Sequence, residues 1–289
     1  MKFVTLAEMA KAIRENFHKV PHDVDFVVGI PRSGVIAAGI IAEFLNAPLI
    51  DLDSFVFGAA PTGGRRLRFH KATGRAKPRV LVVDDTIFHG RSMRGARQKL
   101  APLAGQYDFT YLAVFLEGPC NAVDVWLEDV RGFTENYTAF VLYEWNVFHH
   151  ISGFMSVCMY DIDGVMCVDP PDERSGQPYA DYIKDATPLF TPTTPIGGIV
   201  TYRLAKYEDI TRRWLADHGV TFGSLAMFPA TTYEDRAASG ITPAAFKADA
   251  YNAATWAKLF VESDDRQARD IQIMTGKPVY CVQSNELYS

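Results

Sequence analysis

Short, β-branched apolar runs closed by polar residues alternate along this chain with stretches whose apolar positions repeat at helical spacing. Leu6, Met9, Ala10, Ile13 and Phe17 follow helical spacing after Thr5, and Glu8 stands where a capping-box partner belongs. Runs over residues 24–30, 48–52, 80–83, 107–116 and 123–130 predict strands, with helices over 35–45 and 92–100, the second ended by Pro102 and Gly105. Residues 137–147 (YTAFVLYEWNV) predict a further strand. A new series opens at 155–163 (MSVCMYDID) and continues through apolar runs ending at Thr201, over 259–261 and over 279–282. The pattern predicts an α/β protein of two domains, 1–150 and 154–289, each a mainly parallel sheet flanked by helices.

The end of the 80–83 run carries the first chemistry. Asp84 and Asp85 are adjacent carboxylates, costly after such a run unless solvated or used; an ordinary buried strand with a polar turn is the plain alternative. Ligands of parallel sheets bind past the carboxyl ends of strands, so the two acids would face a crevice. The turn 86–92 offers hydroxyls and backbone N–H groups at a helix start, which suits a phosphate. Acids for sugar hydroxyls beside a phosphate loop suggest a ribose 5-phosphate site.

This stretch resembles the phosphoribosyl pyrophosphate (PRPP) signature of the type I phosphoribosyltransferases, an apolar strand, two acids and a loop ending Thr-Gly-x-Thr. Here the ending is His89-Gly90-Arg91-Ser92, with histidine in place of the first threonine. The resemblance implies that Asp84 and Asp85 hold ribose hydroxyls and that Thr86, His89, Gly90, Arg91 and Ser92 surround the 5-phosphate. It also implies that the earlier loop Gly29-Ile30-Pro31-Arg32-Ser33-Gly34 holds the pyrophosphate. Taken alone, that loop is a turn common in α/β folds, although its glycines admit an anion and Arg32 can neutralise it.

Residues 58–79 contain Arg65, Arg66, Arg68, His70, Lys71, Arg75, Lys77 and Arg79 and not one acid. Two readings stand: a solvated or nucleic-acid-binding arm, or, by the resemblance, the loop that closes over the site, with Arg66 and Arg68 neutralising leaving pyrophosphate. Tyr143 and Trp145 could stack on an acceptor base or belong to the core.

The second series ends in Asp161-Ile162-Asp163-Gly164. By itself this is a phosphoryl-handling strand end, a calcium loop or a turn. It resembles the first motif of the haloacid dehalogenase (HAD) superfamily of phosphatases, which implies that Asp161 attacks phosphorus and Asp163 handles the protons. Thr201 then matches the hydroxyl of the second motif, and Lys247 is preferred over Lys258 for the lysine. Glu262-Ser263-Asp264-Asp265 resembles the acidic fourth motif, with Asp264 ranked before Glu262 for the metal. The implied Mg²⁺ site comprises Asp161, Asp163 through its carbonyl, Glu262 and Asp264. The proline-rich spacer before Thr201 leaves little room for a cap domain.

Composition narrows the function further. Hydrophobic residues at 48% and charged residues at 22% describe a folded chain, and a formal charge of -5 argues against general nucleic-acid binding. Cys120, Cys158, Cys167 and Cys281 are scattered without CxxC pairs. No secretory or membrane-length apolar run occurs, so a cytoplasmic protein is expected. The joint expectation is a bifunctional enzyme acting on small molecules: PRPP with a base, and a phosphomonoester such as the nucleotide product. An oligomer is compatible with it. The alternative keeps the first domain as a nucleotide- or PRPP-sensing module that regulates the phosphatase.

Overall fold

The computed structural model describes residues 1–65, 74–119, 121–133, 141–149, 153–170 and 177–289. The chain divides into two compact units, Lys2–Val141 and Leu142–Ser289, the second including Met1.

The amino-terminal unit begins with β1 (Lys2–Val4) and α1 (Leu6–Glu15). The Glu8 N–H donates to Thr5 Oγ1 at 3.1 Å and the Thr5 N–H to Glu8 Oε2 at 2.7 Å, so the capping box forms reciprocally. There follow β2 (Phe26–Gly29), α2 (Ser33–Leu45), β3 (Leu49–Asp51) and the short α3 (Leu52–Val56). The remainder is β4 (Arg79–Ile87), α4 (Arg91–Leu100), β5 (Asp108–Leu116) and β6 (Val125–Asp129). Strands β3-β2-β4-β5-β6 form one parallel sheet in that order. Val80 to Val83 have no exposure at all, as expected of a strand covered on both faces.

Two local features differ from the expectation. β4 does not stop where its apolar run stops but continues through Ile87, because β5 supplies ladder partners as far as Leu116. Asp84 and Asp85 therefore lie inside the strand rather than beyond it. The predicted strand over 48–52 is only three residues long, since Asp51 caps α3 by accepting the Ser54 N–H at 2.9 Å.

The boundary strand β7 (Val141–Tyr143) gives way to a 3₁₀ turn at Glu144–Asn146, so the predicted strand over 137–147 is shorter; residues 134–140 lie outside the described residues. The carboxy-terminal unit continues with β8 (Cys158–Tyr160), α5 (Gln177–Asp185), β9 (Ile196–Leu204) and α6 (Glu208–Asp217). Next come β10 (Phe222–Phe228), α7 (Tyr233–Ala238), α8 (Pro243–Ala253) and β11 (Leu259–Glu262). The last elements are α9 (Asp265–Thr275), β12 (Val279–Cys281) and β13 (Glu286–Tyr288). Its sheet has the order β10-β9-β8-β11-β12-β13, with only the β12–β13 pair antiparallel. The run over 155–163 is mostly not strand: Phe154–Val157 form a 3₁₀ turn, and β8 takes three residues.

Both sheets reverse direction once. After β2 the chain adds β3 on one side and then returns to place β4 on the other; after β8 it adds β9 and β10 on one side and places β11 on the other. At such switch points the loops leave in opposite directions and open a crevice at the strands' carboxyl ends. Among the described residues no helix is long and apolar enough to cross a membrane. Cys158, Cys167 and Cys281 are buried and free, whereas Cys120 lies outside the described residues.

Leu81 is fully buried in β4, the strand between β2 and β5. Leu81→Ala should lower the stability of the amino-terminal unit by about 2–5 kcal/mol in urea unfolding, and a change well below that range would count against a close-packed β4.

Candidate functional site

In the amino-terminal unit the switch point brings the start of α2 against β4. The Ser33 hydroxyl donates to Asp85 Oδ1 at 2.9 Å, and the Asp85 N–H donates to Asp84 Oδ1 at 3.1 Å. Gly34 lies so close that a side-chain carbon there would stand 2.9 Å from Asp84 Oδ1 and 2.9 Å from the Val83 carbonyl. A larger residue would force α2 away from the acids. The loop from Gly29 at the end of β2 to Gly34 thus meets Asp84 and Asp85, while Arg32 at the helix start is exposed.

Both acids are buried, Asp84 at 6% and Asp85 at 4% exposure. Burial, and then the neighbouring Asp85, push the Asp84 carboxyl well above the ordinary carboxylate range. Beyond them, half-buried Thr86 leads into a bend where the Phe88 ring stands 4.2 Å from that of His89. Gly90 enters α4 with φ of 67°, a conformation that glycine adopts without strain. Gly90 itself is buried, while His89, Arg91 and Ser92 are exposed around it.

Arg66 and Arg68 lie outside the described residues. Two other cations of that basic segment have structural partners. Arg75 pairs with Asp23 at 2.8 Å, and Arg79 pairs with the same carboxylate. These two anchor the segment's end to the loop before β2.

In the carboxy-terminal unit a cavity of about 660 Å³ opens at the ends of β8, β9 and β11, and Asp161, Asp163, Thr201, Lys247, Glu262 and Asp264 all line it. Lys247, brought in by α8, donates to Asp161 Oδ2 and to Glu262 Oε2, each at 2.6 Å, and to Gln267 Oε1 at 3.0 Å. The other oxygen of Glu262 accepts the Ser263 N–H at 2.9 Å and the Asp264 N–H at 3.3 Å. Asp264 caps α9, accepting the Gln267 N–H at 2.8 Å. Lys258, the competing lysine, is exposed, and Asp265 pairs with Arg269 at 3.0 Å.

Burial pushes the Asp161 carboxyl up to about 7, with Lys247 opposing the rise. Burial also works against the Lys247 ammonium, but Asp161 and Glu262 hold it charged, above the ordinary lysine value. The oxygen donors Asp161, Asp264, Glu262 and the Asp163 carbonyl are chemically suited to Mg²⁺. Among the described residues no group of three His, Cys, Asp or Glu side chains is arranged as a ready metal cage; Lys247 stands between two of these acids.

Arg203 is the member of this site that the sequence reading passed over. It is 1% exposed and grips Asp163, Nη2 donating to Oδ1 at 2.6 Å and Nε to Oδ2 at 2.9 Å. Its signal was a lone cation two positions after Thr201 in an otherwise apolar strand, IGGIVTYRL.

Residues 4–149 match the family described as phosphoribosyl transferase domain. Solved structures similar to the chain include a purine phosphoribosyltransferase from Pyrococcus horikoshii Ot3, at 16% identity and TM-score 0.33, covering 51% of this chain and 94% of that one. An orotate phosphoribosyltransferase from Aeropyrum pernix has 19% identity and TM-score 0.33, covering 45% of this chain and 74% of that one. A hypothetical protein from Neisseria gonorrhoeae with bound ppGpp has 16% identity and TM-score 0.34, covering 50% and 90% respectively. No curated protein matches the chain.

The raised Asp84 carboxyl has a consequence for stability. The unfolded chain loses that proton near the ordinary value of 3.8 and the fold only at higher pH, so stability is lost as pH rises from one value through the other. Asp84→Asn removes the loss. Without substrate, its gain in unfolding midpoint should be larger at about pH 8 than at about pH 5, and the reverse order would contradict the assignment.

Proposed function

The chain belongs to the phosphoribosyl transferase domain family through residues 4–149, and on that premise we propose that it transfers phosphoribosyl from PRPP to a base-like acceptor and hydrolyses a phosphomonoester at its second site. The transferase half is supported by the meeting of Ser33 and Gly34 with Asp84 and Asp85. Donor ribose hydroxyls would donate to the two carboxylates. The 5-phosphate would sit in the 86–92 turn, against its backbone N–H groups and the hydroxyls of Thr86 and Ser92. Pyrophosphate would lie along residues 29–34, with Arg32 and, outside the described residues, Arg66 and Arg68 offsetting its charge. As the anomeric C–O bond breaks, Asp84 and Asp85 stabilise the positive charge growing on that carbon. The acceptor nitrogen then bonds to it and gives up a proton.

The observation that carries the hydrolase half is the Lys247 bridge between Asp161 and Glu262 inside the cavity. It keeps a buried carboxylate aimed at the pocket and offsets charge on an incoming phosphoryl group. Asp161 would attack phosphorus while Thr201 donates to a phosphoryl oxygen. The P–O bond to the leaving alcohol breaks, and the alcohol takes a proton from Asp163. Asp163 then removes a proton from water, whose oxygen attacks phosphorus; the bond to Asp161 breaks and inorganic phosphate departs. Mg²⁺, which Asp161, the Asp163 carbonyl and Asp264 would hold with Glu262 beside them, supplies neutralisation of phosphoryl charge when bound.

One chain carrying both activities raises the local concentration of the nucleotide at the second site. The test supplies PRPP, Mg²⁺ and a panel of bases and follows pyrophosphate and inorganic phosphate together. Asp85→Asn should abolish pyrophosphate release with every base. Asp161→Asn should cut phosphate release by roughly a thousandfold or more and leave the nucleotide as end product. Nucleoside still forming in that variant would show that the two sites do not act in sequence.

A further inference from the structure

Thr201 and Tyr202 are neighbours on β9 and both line the hydrolase cavity, although successive side chains of a regular strand point to opposite faces. A bulge accounts for this. Met227 of β10 pairs with Thr201, but the next residue, Phe228, pairs with Leu204, so Tyr202 and Arg203 are extra residues opposite one step of β10. Such an insertion re-aims a side chain. The β8–β9 pairing ends at Tyr160 with Ile199, which sets Asp161 level with Val200. Tyr202 lies two residues beyond that level, on the order of 6 Å further along the strand, past the nucleophile in the direction of the strand's carboxyl end.

The ring is fixed where it stands. Its hydroxyl donates to the Ile241 carbonyl at 2.5 Å. The Arg236 guanidinium lies 4.5 Å from its centroid and donates from Nη1 to the Tyr202 carbonyl at 2.7 Å. The Phe228 ring packs against it, with centroids 4.8 Å apart. With the hydroxyl engaged, what Tyr202 presents to the cavity is ring carbon, and Val168, Leu189 and Pro243 add further apolar surface. At about 660 Å³ the cavity has the size that takes a whole small-molecule ligand, not a phosphoryl group alone. A rigid aromatic wall favours a flat partner, and every nucleobase is one.

We propose that Tyr202 is a specificity-determining residue of the hydrolase site: its ring packs against the base of a nucleoside 5′-monophosphate, so that the site prefers nucleotides to phosphorylated sugars that lack a base. This rests on the phosphatase reading given above and adds no step to it.

The test compares adenosine and uridine 5′-monophosphates with ribose 5-phosphate on the full-length chain with Mg²⁺. All three release phosphate from a primary sugar alcohol and differ in the base. Asp161→Asn must first abolish phosphate release from each, and persistence there, or no release by the unsubstituted chain, would remove the phosphatase reading and this inference with it. With that established, Tyr202→Ala should lower kcat/KM roughly tenfold more on the nucleotides than on ribose 5-phosphate, with the loss falling on KM. Tyr202→Phe, which keeps the ring, should retain most of the preference, and a preference lost as fully as in Tyr202→Ala would overturn the inference. Equal losses on all three esters, or an unsubstituted chain that hydrolyses ribose 5-phosphate as efficiently as both nucleotides, would overturn it while leaving the phosphatase reading intact. If Tyr202→Ala unfolds the chain at the assay temperature, Tyr202→Leu keeps bulk without a plane and should show the same selective loss. An undiminished nucleotide preference there would overturn the inference equally.

Discussion

A carboxylate buried at the end of a parallel strand has to be met by a donor or give up its charge, and both units are arranged around that constraint. In the carboxy-terminal unit the donor is Lys247, whose ammonium serves Asp161 and Glu262 at 2.6 Å each. α8 must lie where it does for Lys247 to arrive, and the Ser263 and Asp264 N–H groups close the other side of Glu262 as the chain turns from β11 into α9. The amino-terminal unit meets the same constraint with a hydroxyl. Asp85 takes a hydroxyl from Ser33, and Asp84, beside the close-packed Gly34, is the carboxyl that burial drives towards neutrality. The nucleophile proposed at Asp161 approaches a phosphate dianion, and Lys247 supplies positive charge close by.

The sheet topology explains why the acids fall where they do. In each unit the strand order reverses beside the strand that carries or precedes the acids, so the crevice follows from chain routing before any side chain is considered. Residues 4–149 belong to the phosphoribosyl transferase domain family, and the carboxy-terminal unit adds a second, mainly parallel sheet with its own switch point. The polar network behind the second site, Arg203 with Asp163, Cys167 and Thr211, lies within this unit's core and gives that site a fixed geometry.

How much of this was legible beforehand depended on whether a signal was local. The capping box at Thr5 and Glu8, the apolar strands over 80–83 and 259–261, and the acids that end them are local patterns, and each element appears in the structure. β10 was not foreseen: it is an edge strand, FGSLAMF, mostly half-buried or exposed, without the continuous apolar run that marks a covered strand. β4 outran its apolar core because its length is set by pairing with β5, information carried twenty-nine residues away. Arg203 escaped for the same reason, since its partner Asp163 is forty positions earlier and only the β8–β9 pairing brings them together. Arg75 and Arg79 were read by composition as part of a basic loop, although Asp23 had already claimed both.

The account stands most directly on Asp161 becoming covalently phosphorylated. A carboxyl phosphate is reduced by borohydride to the alcohol, so acid quenching of the full-length chain during turnover of a 5′-nucleotide with Mg²⁺, then reduction and peptide mass mapping, locates it. The prediction is conversion of Asp161 to homoserine, dependent on substrate and absent from Asp163. Phosphate release with Asp161 unmodified, or with the label on Asp163, would contradict the account.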